Sequence, residues 1–249
     1  MFRVILSFLT LITVLSCNKN TKVMIIGHRG AMGHIAENTI PSIKKAMELG
    51  VDGIEIDVFR CKTGELVVFH DEKLDRLTNS SGFIESLELD SIKKILVLDK
   101  YRIPTLEEVL QLIDGQVKLN IELKGYETAS PTNHLINQYI NKGGWTDDKF
   151  IISSFKWDEL EKFRSINKTV SIAILTEFNP IEAIPIAKKL DALAINPNYK
   201  SLNEDNINEI HANGFKIFSY TINEFSDIKR MIELGVDAII TDYPERVNR

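Results

Sequence analysis

The chain has 249 residues, 44% of them apolar and 26% charged, with a net charge of −5. That length suits one large domain or two small ones with ample core, and the composition is that of an ordinary globular protein. The acidic balance and the lack of any basic run exclude a polyanion-binding surface, so no nucleic acid partner is expected.

The first segment, MFRVILSFLTLITVLSC, carries one early charge, Arg3, and then an uncharged apolar run up to Cys17. That run is too short to span a bilayer and suits a secretory signal. Val14-Leu15-Ser16 ahead of Cys17 resemble a bacterial lipobox, although Leu15 is bulkier than the pattern usually carries. We therefore expect a lipoprotein signal peptide over 1–16, lipidation of Cys17, a polar tether over 17–22 and a folded domain over 23–249. Such a chain would be a membrane-anchored lipoprotein of the bacterial envelope, on the periplasmic side. With Cys17 lipidated, Cys61 stands alone, so no intramolecular disulfide forms, and no Cys/His spacing resembles a zinc site.

Eight β-rich runs follow in order: VMIIG (23–27), GIEIDVF (53–59), KLNIEL (118–123), KFIIS (149–153), VSIAIL (170–175), ALAIN (192–196), KIFSYT (216–221) and AIIT (238–241). Helical patterns such as TIPSIKKAMELG, TLEEVLQLI and EFSDIKRMIELG lie between them, the first and last closing on Gly50 and Gly235. Strands alternating with helices predict a parallel sheet, and no GxGxxG follows the first strand to suggest a dinucleotide site. Eight such units predict an α/β fold, a (β/α)8 TIM barrel forming one domain. Residues 60–104 are a longer connection with ELVVFHD, a Gly/Ser/Asn-rich turn and an extra helix, which reads as a small insertion after strand two.

Active sites of such barrels lie at the C-terminal strand ends. His28 and Arg29 end the first strand, and His70-Asp71 ends the LVVF run. Glu55 and Asp57 are two apart on strand two and so share a face, as do Glu122 and Lys124 at the end of strand three. Asn223 and Asp242 follow the last two strands. A carboxylate on a strand is usually a solvated residue, but these three lie in apolar runs leading to a barrel interior. Three converging carboxylates repel unless a cation joins them, and oxygen-only ligands favour Mg²⁺ or Ca²⁺. Arg29 and Lys124 add positive charge suited to a phosphate. Two strand-end histidines beside them suit acid–base work on a phosphodiester.

The stretches GHRGAMGHIAENTIPSIKKAMELGVDGIEIDVF, GELVVFHDEKLDRLT, RIPTLEEVL, NIELKG, ISSF, SYTIN and GVDAIITDYPE, in this order, resemble the glycerophosphodiester phosphodiesterases over nearly the whole mature chain. The resemblance implies a divalent cation held by Glu55, Asp57 and Glu122, with His28 and His70 as the acid–base pair. It further implies Arg29 and Lys124 on the phosphate, and a small glycerophosphodiester cleaved to sn-glycerol 3-phosphate and an alcohol. The family mechanism is often drawn with the glycerol 2-hydroxyl attacking phosphorus. As an initial assignment we take His28 as base and His70 as acid.

Three departures stand out: Ala36 where the family usually has Pro, Tyr220 where it has Trp, and Thr63 where Asp usually precedes Gly64. Tyr220 is read as lining the pocket, and Glu37 and Asn38 as either ordering the first loop or contacting substrate. His34, His134 and His211 read as surface residues. A lysophospholipase D on longer lipids would need a wide apolar groove, and the loops offer no long apolar insertion. A silent barrel would show substitutions among the seven metal, histidine and phosphate positions, and all seven are present.

Overall fold

A computed structural model of the protein describes residues 22–247. The expected signal peptide, the lipidated Cys17 and most of the tether lie outside the described residues. No helix among the described residues is long and apolar enough to cross a membrane.

The chain begins with β1 (Met24–Gly27), α1 (Ile40–Glu48) and β2 (Gly53–Arg60). The insertion then adds β3 (Leu66–Val68), a single turn α2 (Leu89–Ile92) and the two-residue strands β4 (Leu96–Val97) and β5 (Tyr101–Arg102). Regular alternation resumes with α3 (Leu106–Ile113), β6 (Lys118–Leu123), α4 (Ala129–Lys142), β7 (Phe150–Ser154) and α5 (Trp157–Ile166). It ends with β8 (Ser171–Thr176), α6 (Ile184–Lys189), β9 (Ala194–Pro197), α7 (Glu204–Ala212), β10 (Lys216–Ser219), α8 (Phe225–Leu234) and β11 (Ala238–Thr241).

Eight parallel strands close in the order β1-β2-β6-β7-β8-β9-β10-β11, and β11 pairs back onto β1 with Ile25 opposite Ile239. This is the expected TIM barrel. Its strand periodicity explains the sorting of side chains. Ile54, Ile56 and Val58 of β2 and Leu119, Ile121 and Leu123 of β6 point outward to the helices, in the main core. The opposite parity points inward, where Ile26, Ile151, Ala173, Ala194, Phe218, Ala238 and Ile240 fill the barrel. The polar residues Glu55, Asp57, Asn120 and Glu122 have that inward parity.

The insertion has its own apolar cluster, with Phe59, Val67, Phe69, Leu74, Ile84 and Ile92 among its members. β3 runs antiparallel to β2, with Val58 opposite Val68, and the amide of Phe69 donates to the Asp57 carbonyl at 3.1 Å. That pairing delivers His70 beside Asp57. The β4–β5 pair was not anticipated, because two-residue strands carry no readable period.

The loop after β6, which carries Lys124, is pinned from below. Thr128, at the N-cap of α4, gives no side-chain cap; instead the fully buried carboxylate of Glu159 on α5 accepts the amides of Glu127 (3.1 Å), Thr128 (3.0 Å) and Ala129 (3.1 Å). Replacing Glu159 with alanine leaves three amides unpaired and is expected to lower the unfolding free energy by about 2–3 kcal/mol. Urea denaturation at neutral pH checks this, and a change within about 0.5 kcal/mol of zero would remove the capping role.

Candidate active site

The first loop explains why β1 ends in His28-Arg29-Gly30. The amide of His28 continues the ladder to the Thr241 carbonyl at 2.9 Å, and the chain then turns through Arg29 at φ 50° and Gly30 at φ 90°. A Cβ on Gly30 would lie 2.4 Å from Ser42 Oγ, so the turn packs against the start of α1 only with glycine there. Left-handed backbone at a non-glycine residue is costly and concentrates at functional sites; Arg29 and Asn38 (φ 56°) both adopt it in this loop.

His28, Arg29, Glu55, His70, Glu122 and Lys124 line one cavity of about 210 Å³ at the C-terminal end of the barrel. Phe155, Leu175, Glu177, Tyr220 and Ile240 line part of its remaining wall, with Asn120, Ser153 and Thr221. One oxygen from each of Glu55, Asp57 and Glu122 falls within 4.8 Å of the others. The three carboxyls titrate apart. Burial, with Asp57 and Glu122 close by, pushes Glu55 well above the usual carboxylate range. Burial and Asp57 likewise push Glu122 up to about 7, although Lys124 at 3.0 Å pulls the other way. Burial also works against Asp57, but the charges of Arg29, His70 and Lys124 and the amide of Asn38 hold its carboxyl below the usual range.

This donor set fits a hard divalent cation. It is all oxygen, it is crowded enough that two members favour protonation, and Glu55 Oε1 is buried with no hydrogen-bond partner. Its other oxygen is held by the Arg29 amide at 3.0 Å.

Each histidine has a carboxylate on Nδ1. His28 donates to Asp242 at 2.7 Å, and Asn223 donates to the other oxygen of Asp242 at 2.7 Å. His70 donates to Asp71 at 2.5 Å. These contacts fix the tautomer with the proton on Nδ1, so each Nε2 is the nitrogen with a lone pair to accept a proton. The surroundings of the two differ. Lys124 Nζ lies 3.2 Å from His70 Nε2, whereas Glu55 lies 4.0 Å from His28 Nε2. Burial, with Arg29 and Lys124 adding to it against the pull of Asp57, lowers the His70 pKa.

Arg29 donates to Glu37 at 2.6 Å and has its Nε 3.4 Å from Asp57. Glu37 and Asn38 are buried and face the wall behind the cavity: Glu37 accepts from Arg29 and Arg76, and Asn38 donates to Asp57 at 2.7 Å. Their contacts are those of residues that order the loop and its neighbours. Tyr220 lines the cavity, edge-on to Phe155 at 6.0 Å, with its hydroxyl donating to the Thr176 carbonyl at 2.8 Å. His34 meets Glu245, His134 meets Gln138 and His211 meets Asp237, all away from the cavity. Asp71, Asp242 and Asn223 were visible in the sequence only as strand-end polar residues, and Arg76 only as part of the GELVVFHDEKLDRLT stretch, with no role assigned to it.

A family model described as the glycerophosphoryl diester phosphodiesterase family matches residues 28–246. A glycerophosphodiester phosphodiesterase of Caldanaerobacter subterraneus is 37% identical over 233 residues, covering 90% of this chain and 96% of that protein. A glycerophosphodiester phosphodiesterase of Bacillus subtilis is 31% identical over 252 residues, covering 90% and 85%. Among solved structures, a phosphodiesterase of Oleispira antarctica, in complex with the product sn-glycerol-3-phosphate, superposes with a TM-score of 0.83 at 27% identity, covering 90% of this chain and 94% of that one.

Proposed function

The chain belongs to the glycerophosphoryl diester phosphodiesterase family and is a phosphoric diester hydrolase, and from that premise we propose that it is a divalent-metal-dependent enzyme using His28 and His70 as its acid–base pair. Its substrate is a small glycerophosphodiester, and its products are sn-glycerol 3-phosphate and an alcohol. The observation that carries this reading is one cavity lined by two carboxylate-backed imidazoles, two cations and Glu55 and Glu122, with Asp57 buried against those two carboxylates.

Glu55, Asp57 and Glu122 would hold the cation. Bound there, Mg²⁺ or Ca²⁺ supplies positive charge that offsets the negative charge of the phosphoryl oxygens. Arg29 and Lys124 bind the same group, and Arg29 reaches it from a guanidinium that Glu37 and Asp57 hold in place. Tyr220 and Phe155 bound the space left for the organic parts of the substrate.

The charges around the imidazoles support one division of labour. A proton on His70 Nε2 would face the Lys124 ammonium, while a proton on His28 Nε2 faces the Glu55 carboxylate. His70 therefore suits the base, taking the proton of the attacking hydroxyl. His28 suits the acid, giving its proton to the oxygen of the departing alcohol. This reverses our initial assignment from the sequence.

The test is release of sn-glycerol 3-phosphate from glycerophosphocholine by the purified protein in Mg²⁺, in Ca²⁺ and in EDTA. Release with a cation and none in EDTA is expected. Undiminished release in EDTA would overturn the metal dependence, and no release from any glycerophosphodiester with either ion would overturn the substrate.

A further inference from the structure

Arg76 belongs to the insertion, and its guanidinium joins the two sides of the site. Nη1 and Nη2 donate to the two oxygens of Glu37 at 3.0 and 2.7 Å. Nε and Nη2 donate to the two oxygens of Asp71 at 2.5 and 3.0 Å. Glu37 in turn holds Arg29 at 2.6 Å, and Asp71 holds His70 Nδ1 at 2.5 Å. A continuous chain thus runs from Arg29 through Glu37, Arg76 and Asp71 to His70.

We infer that Arg76 is a positioning residue that locks the phosphate-binding Arg29 and the acid–base His70 into one register. The inference rests on the roles proposed above for those two residues.

The geometry distinguishes this from an ordinary surface ion pair. Such pairs hold little, because two long side chains must be ordered in water. Here Glu37 is buried, its side chain 5% exposed, and both carboxylates are gripped by two donors of one rigid plane. The Arg76 fork presents Oδ1 to the imidazole. A lysine would supply the charge without the fork, and so would not hold two carboxylates in a fixed relation.

The sequence contained the parts but not the connection. Glu37 and Arg76 are 39 residues apart and on different elements. They meet because β3 folds back antiparallel onto β2, which sets the insertion beside the first loop.

Arg76→Gln is expected to lower kcat/KM for glycerophosphocholine roughly 10–100-fold, the usual scale for a residue that orients a catalytic group. Arg76→Lys should recover little of it, while both variants keep the wild-type circular dichroism spectrum. In an Asp71→Asn background Arg76→Gln should cost several-fold less in kcat than it does in the wild type, because only its Glu37–Arg29 arm is then left to lose. Long-range ¹H–¹⁵N spectra of the His70 ring should show the Nδ1–H tautomer in the wild type and a tautomer mixture in Arg76→Gln. Full kcat/KM in Arg76→Gln, an additive loss in the double variant, or an unchanged His70 tautomer would each overturn the inference. Should the wild type cleave no glycerophosphodiester, the proposed function fails, and the His70 tautomer still decides whether Arg76 positions it.

Discussion

Glu55→Gln is expected to lower kcat/KM by roughly 10³-fold or more, since in the proposed site it would remove one of three anionic ligands and with it several kcal/mol of charge stabilisation at the phosphate. The same substitution should make the metal-free protein more stable at alkaline pH. In the wild type, burial together with Asp57 and Glu122 raises the Glu55 pKa far above its unfolded value. For a carboxyl raised in this way the folded state binds more protons than the unfolded state between the two pKa values. Stability is therefore full below the unfolded value and is lost as pH rises through the folded one. Glutamine carries no such cost, and its amide oxygen can still accept the Arg29 N–H that Glu55 accepts at 3.0 Å. In EDTA, thermal unfolding at pH 8 should thus place the variant above the wild type, with the gap closing toward pH 5. Adding Mg²⁺ or Ca²⁺ should raise the wild-type Tm and leave the variant's nearly unchanged. A variant that loses activity but is less stable than the wild type at pH 8 would mean that Glu55 serves the fold and not a cation.

Alanine at either histidine is expected to lower kcat by about 10²–10⁴-fold on glycerophosphocholine, the range for one proton-transfer group. The leaving group separates the two roles. An aryl glycerophosphodiester releases a phenolate that departs without a proton, so it bypasses the acid and still needs the base. With p-nitrophenol as leaving group, His28→Ala should regain most of the wild-type rate and His70→Ala should not. The opposite pattern would restore His28 as base. Asp242 and Asp71 extend the contrast, because each carboxylate orients only its own imidazole.

Much of the acidic triad was legible because it depends on period alone. Glu55 and Asp57 share a face of β2, Glu122 shares that parity on β6, and Asp57 pairs directly with Glu122 across the two strands. The apolar residues between them, Ile56 and Ile121, face the helices, so the carboxylates had to face the barrel interior. His28 was legible for a related reason: a strand that stops at glycines and an imidazole puts the ring at the mouth. Glu37 and Asn38 were recognised as important without a role, since the sequence does not say which way a loop side chain turns. Their burial against Arg29 and Asp57 follows from two left-handed residues that fold the loop inward.

The sequence by itself therefore determined the barrel, the inward parity of the acidic triad and the strand ends that bear the histidines. All of these are consequences of chain-local geometry, in which side chains two residues apart share a face. Only the tertiary structure decided the partners that orient those groups. His28 meets Asp242 across 214 residues because β1 closes the barrel on β11, and His70 reaches Lys124 across 54 because β3 and β6 both flank β2. A hydrogen bond forms between whichever donor and acceptor the closed fold brings within about 3 Å, a distance that spacing along the chain does not encode.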